Sequence, residues 1–394
     1  MKGGDMTRLA DTLIEARWRE VLSRLEFGTL HFIAPNGEDF TAHGHHPGPT
    51  ARFTLHDWNV LRHVAMRGDI ALGEDYVAGA WDTDNVENLV TLLLLNMDVF
   101  ERYAQGSVLA RLAMTIQDRF VRRNSLGGSQ RNIEAHYDVG NEFYALWLDK
   151  SMTYSSAIFS KGSEALEDAQ RNKHERILDK FLKPHSCVLE IGCGWGGFAE
   201  RAVAHGHRLT GLTLSPSQYR FATARLRGAA DIVLEDYRKA RGLFDMIVSI
   251  EMFEAVGEQY WPRYFRTIAE RLKRGGRAVI QTITVRDELF AKYRMQSDFI
   301  RHYVFPGGML PSLRRFREEA ERAGLKAVDQ FSFGMDYAKT LREWSERMRA
   351  RGQEIMALGY DERFLRNWEY YLGICAAAFR AKRTDVVQIE LVNA

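Results

Sequence analysis

Val188-Leu189-Glu190-Ile191-Gly192-Cys193-Gly194-Trp195-Gly196-Gly197 reads as a strand that runs into a glycine-rich turn, with a helix opening at Phe198. Glycines at 192 and 194 let the backbone approach a ligand closely, and the helix N-terminus behind them offers free N–H groups. Something nucleotide-like is expected there. Outward from this turn, Ser186 to Ile191, Arg208 to Leu214, Asp231 to Leu234, Phe244 to Ile250 and Arg277 to Ile283 are short β-rich runs separated by helical stretches. Ala327 to Phe333 and Val386 to Leu391 add two later strands. Alternation of this kind implies an α/β fold, a mostly parallel sheet covered on both faces.

A glycine turn alone also suits a dinucleotide-binding dehydrogenase. Such an enzyme usually carries an acid about 20 residues on, where the second strand ends, to hold the ribose. Here that strand ends Thr213-Leu214-Ser215-Pro216-Ser217-Gln218, with no acid. Glu190 instead stands two residues before the first glycine, in the pattern E/D-x-G-x-G typical of methyltransferases, where the carboxylate can fix the turn or reach a methionine amine. We therefore expect S-adenosylmethionine at this turn. Five parallel strands followed by a late pair implies a Rossmann-like class I methyltransferase with a seven-stranded, mostly parallel sheet.

A chain of 394 residues, 45% hydrophobic, has room for two or three domains at roughly 150 residues each. We expect a catalytic domain over 126–394 and a smaller N-terminal mixed α/β domain, with its connecting helix, over 1–125. In the N-terminal part Thr29 to Ile33 alternates like a strand, Asn36-Gly37 signals a turn, and Trp58 to Arg67 has helical apolar spacing. It carries no nucleotide or metal motif, so no direct catalytic role is expected of it. Met97 to Arg123 reads as a long helix with Leu109, Leu112, Ile116 and Phe120 on one face and Arg111, Arg119, Arg122 and Arg123 near its end. It suits either a linker packed between domains or a basic amphipathic helix on anionic lipid. Ser125-Leu126-Gly127-Gly128-Ser129 has the composition of a flexible hinge.

Lys and Arg total 54 against 52 Asp and Glu, so the net charge of +2 gives no reason to expect nucleic acid as a partner. Cys187, Cys193 and Cys375 form neither a metal-ligand spacing nor an even disulfide framework, which suits free thiols in a reducing cytoplasm. No signal-peptide pattern opens the chain. The longest apolar run, Leu89 to Leu95 broken only by Thr91, is far below the roughly 18 residues of a membrane span. A cytoplasmic protein that meets a membrane only at its inner surface is expected.

Several further blocks occur in order: His136-Tyr137-Asp138-Val139-Gly140-Asn141, Met152-Thr153-Tyr154-Ser155-Ser156, Thr213-Leu214-Ser215, Asp236-Tyr237-Arg238, Met252-Phe253-Glu254, Phe305-Pro306-Gly307-Gly308, and Tyr371-Leu372-Gly373-Ile374-Cys375 with Phe379-Arg380. With the glycine turn they resemble the cyclopropane-fatty-acyl-phospholipid synthase and mycolic acid cyclopropane synthase family from about residue 131 to 381. The N-terminal segment resembles the extra domain of the phospholipid-acting members. The resemblance implies methyl transfer from S-adenosylmethionine to the double bond of an unsaturated acyl chain of phospholipid at the membrane surface, and a homodimer. It implies that Tyr154 and Ser155 close over the cofactor and that Val188 to Gly196, with Glu190, Gly192, Gly194 and Gly196, cradles its methionine and ribose. Thr213, Leu214 and Gln218 would line ribose and adenine, Asp236 and Tyr237 would border the adenine, and Ile250 would be a further contact.

The same resemblance implies a bound bicarbonate as base, held by Ser156, Glu254, Gln281, the Ile283 backbone and Tyr337. This chain departs from the bacterial pattern, which has cysteine at the Ser156 position, histidine at Gln281 and histidine in place of Ala255. The Glu-Ala-Val-Gly block with the glutamine resembles the plant cyclopropane synthases. Glu251 is an extra acid where glycine is common, and a structural role is expected of it ahead of the alternative, assistance in proton removal. Cys375 matches the cysteine traditionally marked as the active-site residue, although direct transfer from sulfur to carbon needs no cysteine adduct. Tyr293, Tyr303, Phe305, Tyr337, Tyr370 and Tyr371 are candidates to stabilise a carbocation through their ring faces. Alternatives are a methyl-branched or methylene product from the same cation, an inactive lipid-binding module, and a small-molecule methyltransferase acting on oxygen or nitrogen.

Overall fold

The computed structural model describes residues 3–103, 139–181 and 184–393. The expected helix beyond Tyr103, the Ser125–Ser129 hinge, the boundary at 125/126 and His136 to Asp138 lie outside the described residues.

The N-terminal unit is a four-stranded sheet, β1 (Phe27–Ile33), β2 (Asp39–His43), β3 (His46–Leu55) and β4 (Trp81–Asp82), in the order β2-β1-β3-β4. Residues of β1 alternate between buried and accessible, so Leu30 and Phe32 face one core while their neighbours meet solvent. Helices Asn59–Arg67, Asp69–Val77 and Val86–Leu95 follow. The Leu-rich run is thus a helix, started by Asn85, whose side chain accepts from the Asn88 N–H. Among the described residues no helix is long and apolar enough to cross a membrane.

The larger sheet holds β5 (Cys187–Ile191), β6 (Arg208–Thr213), β7 (Asp231–Leu234), β8 (Phe244–Ile250), β9 (Leu272–Val285), β10 (Leu325–Ser332) and β11 (Thr384–Asn393). Its order is β10-β11-β9-β8-β5-β6-β7. The first five strands are parallel, and β11 inserts antiparallel to both β9 and β10. This is the expected seven-stranded class I sheet. Strand β9 begins five residues before the expected Arg277, because Lys273-Arg274-Gly275-Gly276 hides its start and its pairing to β8 shifts register between Phe244 and Met246. The order of strands reverses between β5 and its neighbours β6 and β8, so the carboxyl ends of β5 and β8 border one crevice.

The N-terminal unit does not keep a separate core. One apolar cluster joins Phe32, Trp81 and Leu89 to Tyr144 and Trp147 of helix Asn141–Trp147, Trp344 of helix Gly334–Ala350, and Trp368 and Tyr370 of helix Glu362–Arg380. Polar ties cross the same boundary: Arg366 donates to the Tyr76 and Trp81 carbonyls at 2.7 and 3.0 Å. Glycines allow the close approach. A Cβ on Gly73 would lie 2.3 Å from the Phe299 ring and 2.6 Å from the Tyr370 ring, both fully enclosed. Gly73→Val should therefore cost about 1–3 kcal/mol by overpacking. Denaturant unfolding checks this, and an unchanged midpoint would mean that the two units do not rely on this contact.

Candidate active site

A cavity of about 930 Å³ opens at the crevice between β5 and β8. Ligand clefts commonly span about 300–1,000 Å³, so it has room for a nucleotide and a second, elongated molecule. Its wall includes the glycine turn, and also Leu61, Val64, Val90, Leu93 and Phe100 of the N-terminal unit. The unit in which we expected no direct catalytic role thus supplies much apolar wall, and Arg67 and Asp69 line the cavity as well.

At the glycine turn, Gly192 and Gly194 have φ of +84° and +52°. A side chain on Gly192 would meet Met252 at 2.8 Å, whereas Gly194 faces open space. The turn is tied to β6 by N–H groups of Gly192 and Cys193 on the Leu212 carbonyl, at 3.0 and 2.9 Å. Helix Gly197–Ala204 then points its N-terminus toward the turn. Glu190, at the end of β5, lines the cavity with only 2% of its surface exposed, and its Oε2 has no hydrogen-bond partner. A buried carboxyl oxygen without a partner fits the ammonium of a methionine moiety, so the residues present fit the expected cofactor.

Tyr154, Ser155, Thr213, Leu214, Gln218, Tyr237 and Ile250 also line the cavity. Thr213 Oγ1 donates to Gln218 Oε1 at 3.0 Å, which fixes both side chains. Two expected cofactor residues are not brought to the wall. Asp236 turns its carboxylate to the Arg238 guanidinium, at 2.8 and 2.6 Å, and Glu235 lines the cavity instead. Gly196 has a positive φ that starts the helix, and it packs on Ala222.

Lys173 carries no motif signal, yet it is fully buried within reach of the charges of Glu251, Asp149 and Glu190. Its Nζ donates to Ser155 Oγ at 2.6 Å. Burial pushes the ammonium down to about 7, against the pull of those acids. Only the tertiary contacts reveal it, because a single lysine on the amphipathic helix Leu166–Phe181 reads as solvated surface.

The expected bicarbonate ligands are arranged otherwise than we anticipated. The Ser156 N–H and Gln281 Nε2 donate to Glu251 Oε1 at 2.9 and 2.7 Å, and the Tyr337 hydroxyl donates to Glu251 Oε2 at 2.5 Å. The Ile283 N–H and Thr282 Oγ1 donate to Glu254 Oε1 at 2.5 and 3.0 Å. The Ser156 hydroxyl bonds the Ala157 carbonyl. Glu254, Ile283 and Tyr337 line the cavity, whereas Ser156 and Gln281 lie behind Glu251, which does line it. The Ser156 N–H, Gln281 Nε2, Ile283 N–H and Tyr337 hydroxyl are thus used by carboxyls of the chain and the Ser156 hydroxyl by a backbone carbonyl, and a further anion here would face two acids of the wall. The ion does not fit these residues. Glu251, expected to be structural, stands where the donors converge.

Of the aromatic candidates, Tyr293, Phe305, Tyr337, Tyr370 and Tyr371 line the cavity. Tyr303 does not: it is 47% exposed and donates to Glu74 at 2.7 Å. The hydroxyls of Tyr154 and Tyr371 pair at 3.0 Å, so both rings are held in place. Cys375 lines the cavity, and burial pushes its thiol well up, which leaves it protonated and a poor nucleophile.

Burial pushes the Glu190 carboxyl up to about 8, although the Lys173 charge opposes it. This lies above the ordinary value of 4.5, so the folded state keeps a proton that the unfolded chain releases. The resulting stability is fully present below about pH 4.5 and is lost as pH rises through about 8. A glutamine at this position does not titrate. Glu190→Gln should therefore become progressively more stable relative to the native chain between about pH 5 and 8. Thermal melts of both proteins across that range test this, and a constant difference would show that Glu190 is not held protonated.

The family described as mycolic acid cyclopropane synthetase matches residues 125–389. Tuberculostearic acid methyltransferase of Mycobacterium tuberculosis is 37% identical over 85% of this chain and 81% of its own length. Cyclopropane-fatty-acyl-phospholipid synthase of Escherichia coli is 35% identical over 84% of each chain. A crystal structure of mycolic acid cyclopropane synthase CmaA1 complexed with SAH and CTAB superposes with a TM-score of 0.63 and 31% identity, covering 66% of this chain and 97% of the other. With the seven-stranded sheet and the glycine turn in place, the match leads to one conclusion: the chain belongs to the mycolic acid cyclopropane synthetase family.

Proposed function

We propose that this protein transfers the methyl group of S-adenosylmethionine to the double bond of an unsaturated fatty acyl chain of a phospholipid, forming a cyclopropane fatty acid. One observation carries the reading: a single cavity is lined both by the glycine turn and by the greasy side chains of the N-terminal unit. When bound, the cofactor supplies an electrophilic sulfonium methyl. An alkene is a weak nucleophile with no proton to give up before attack, so its site must align, exclude water and tolerate a cation. The enclosed rings of Tyr154, Phe305 and Tyr371 suit the last need through their faces.

The names of the Escherichia coli and CmaA1 relatives support ring formation, and that of the tuberculostearic acid relative favours a second reading. There the same cation undergoes a hydride shift and then loses a proton to give a methylene chain, which an external two-electron reductant would have to convert to a saturated methyl branch. The catalytic part of the chain is 126–394 in this reading, and 1–125 serves to hold the lipid. Met66, Leu95 and Met295 are exposed beside the cavity-lining Arg67, Leu94 and Gln296, which supports acyl-chain entry from a membrane surface. A homodimer is part of the same proposal by family likeness.

Mass spectrometry of phospholipid acyl chains from cells expressing the protein should show unsaturated chains heavier by one CH₂. Resistance of that product to mild hydrogenation separates a ring or saturated branch from a retained alkene. A chain that binds the cofactor but leaves every lipid unchanged would instead be an inactive lipid-binding module.

A further inference from the structure

Glu251 directly follows β8 with φ of +51°, a left-handed backbone that a non-glycine residue adopts only when its surroundings hold it there. What holds it is a complete set of partners. Its N–H donates to the Gln281 carbonyl at 2.8 Å, and its carboxyl receives Ser156, Gln281 and Tyr337 as described. Gln281 is itself oriented from behind, because Gln388 Nε2 on β11 donates to its Oε1 at 3.0 Å. The result is a largely covered, pre-aimed carboxyl in the cavity wall, next in sequence to Ile250 and bonded to Tyr337, both of which share that wall.

We propose that the Glu251 carboxylate is the base that receives the proton released after methyl transfer, in place of any diffusible ion. The proposal rests on the function proposed above and adds the proton acceptor to it. The alkene electron pair forms a carbon–carbon bond to the methyl as the carbon–sulfur pair stays on sulfur, leaving a carbocation on the acyl chain. A C–H bond of the transferred methyl then breaks, its electron pair closes the ring, and the proton passes to a Glu251 oxygen. No oxidant or reductant is needed.

The neighbouring acid is suited to a different state. Glu254 has Oε1 bonded, but its buried Oε2 has no partner. Burial and then the charge of Glu251 push it up to about 8. Burial raises the Glu251 carboxyl above its ordinary value, and the Lys173 charge with the donors Tyr337, Gln281 and Ser156 opposes that rise. The two adjacent carboxyls thus stand in unequal surroundings: three donors on Glu251 favour its carboxylate, and the bare Oε2 of Glu254 favours a proton there.

The test measures methyl transfer to vesicles of cis-unsaturated phosphatidylethanolamine, in buffer stripped of carbon dioxide and again with bicarbonate added. The native protein should turn over equally in both. Glu251→Gln should lose about 10²-fold or more in rate while its cofactor affinity, read by calorimetry, is retained. Glu251→Gly, which vacates the carboxyl's place, should regain part of its rate with added bicarbonate or formate. A native enzyme whose rate collapses without bicarbonate and returns with it overturns the proposal, and this arm needs no variant to fold. Near-native turnover by Glu251→Gln overturns it equally. If native protein binds the cofactor but adds no CH₂ to any lipid under either condition, the proposed function fails and takes this assignment with it.

Discussion

Four ionisable side chains gather at the carboxyl ends of β5 and β8: Glu190 and Lys173 are buried, and Glu251 and Glu254 are largely covered in the cavity wall. Enclosing charge this way is costly, and the cost is met only where opposite charge and hydrogen bonds are supplied in place. Much of the surrounding structure does so. Tyr337 comes from helix Gly334–Ala350, Gln281 and Ile283 from β9, and Ser155 and Ser156 from the segment that precedes helix Leu166–Phe181. The late antiparallel strand β11 also takes part, since Gln388 sets the direction in which Gln281 donates.

Dryness at that place depends on the N-terminal unit. Its helices share a core with helix Glu362–Arg380 and continue the cavity wall with aliphatic side chains. The ion pairs of Glu87 with Arg342 and Arg380, at 3.2 and 3.5 Å, lie on the same boundary. Burial of these acids and lysine is therefore a property of both units together. The catalytic fold supplies the polar groups, and the smaller unit helps supply the low dielectric in which they act.

The sheet was legible because its signals are local. Buried parallel strands must be nearly all apolar, and a glycine turn must follow the first of them, so strand positions and the cofactor turn come directly from residue order. Glu190 was legible for the same reason, standing at a set spacing from Gly192. Asp236 shows the limit of carrying roles by position and Tyr303 the limit of choosing them by side-chain type, because Arg238 and Glu74 claim their polar groups.

Which donors meet which acid was not legible. Ser156, Glu251, Gln281 and Tyr337 are separated by up to 181 residues, and nothing in their order reveals that three of them converge on the fourth. By itself the sequence determined the α/β class, the family and the place of the cofactor, since each rests on short-range pattern. Only the tertiary structure decided that Glu251 occupies the place expected for an external anion, that Lys173 is buried among acids, and that the N-terminal unit walls the cavity. Those are questions of contact across the fold, and the direction of a buried side chain is set by partners that the chain brings together only on folding.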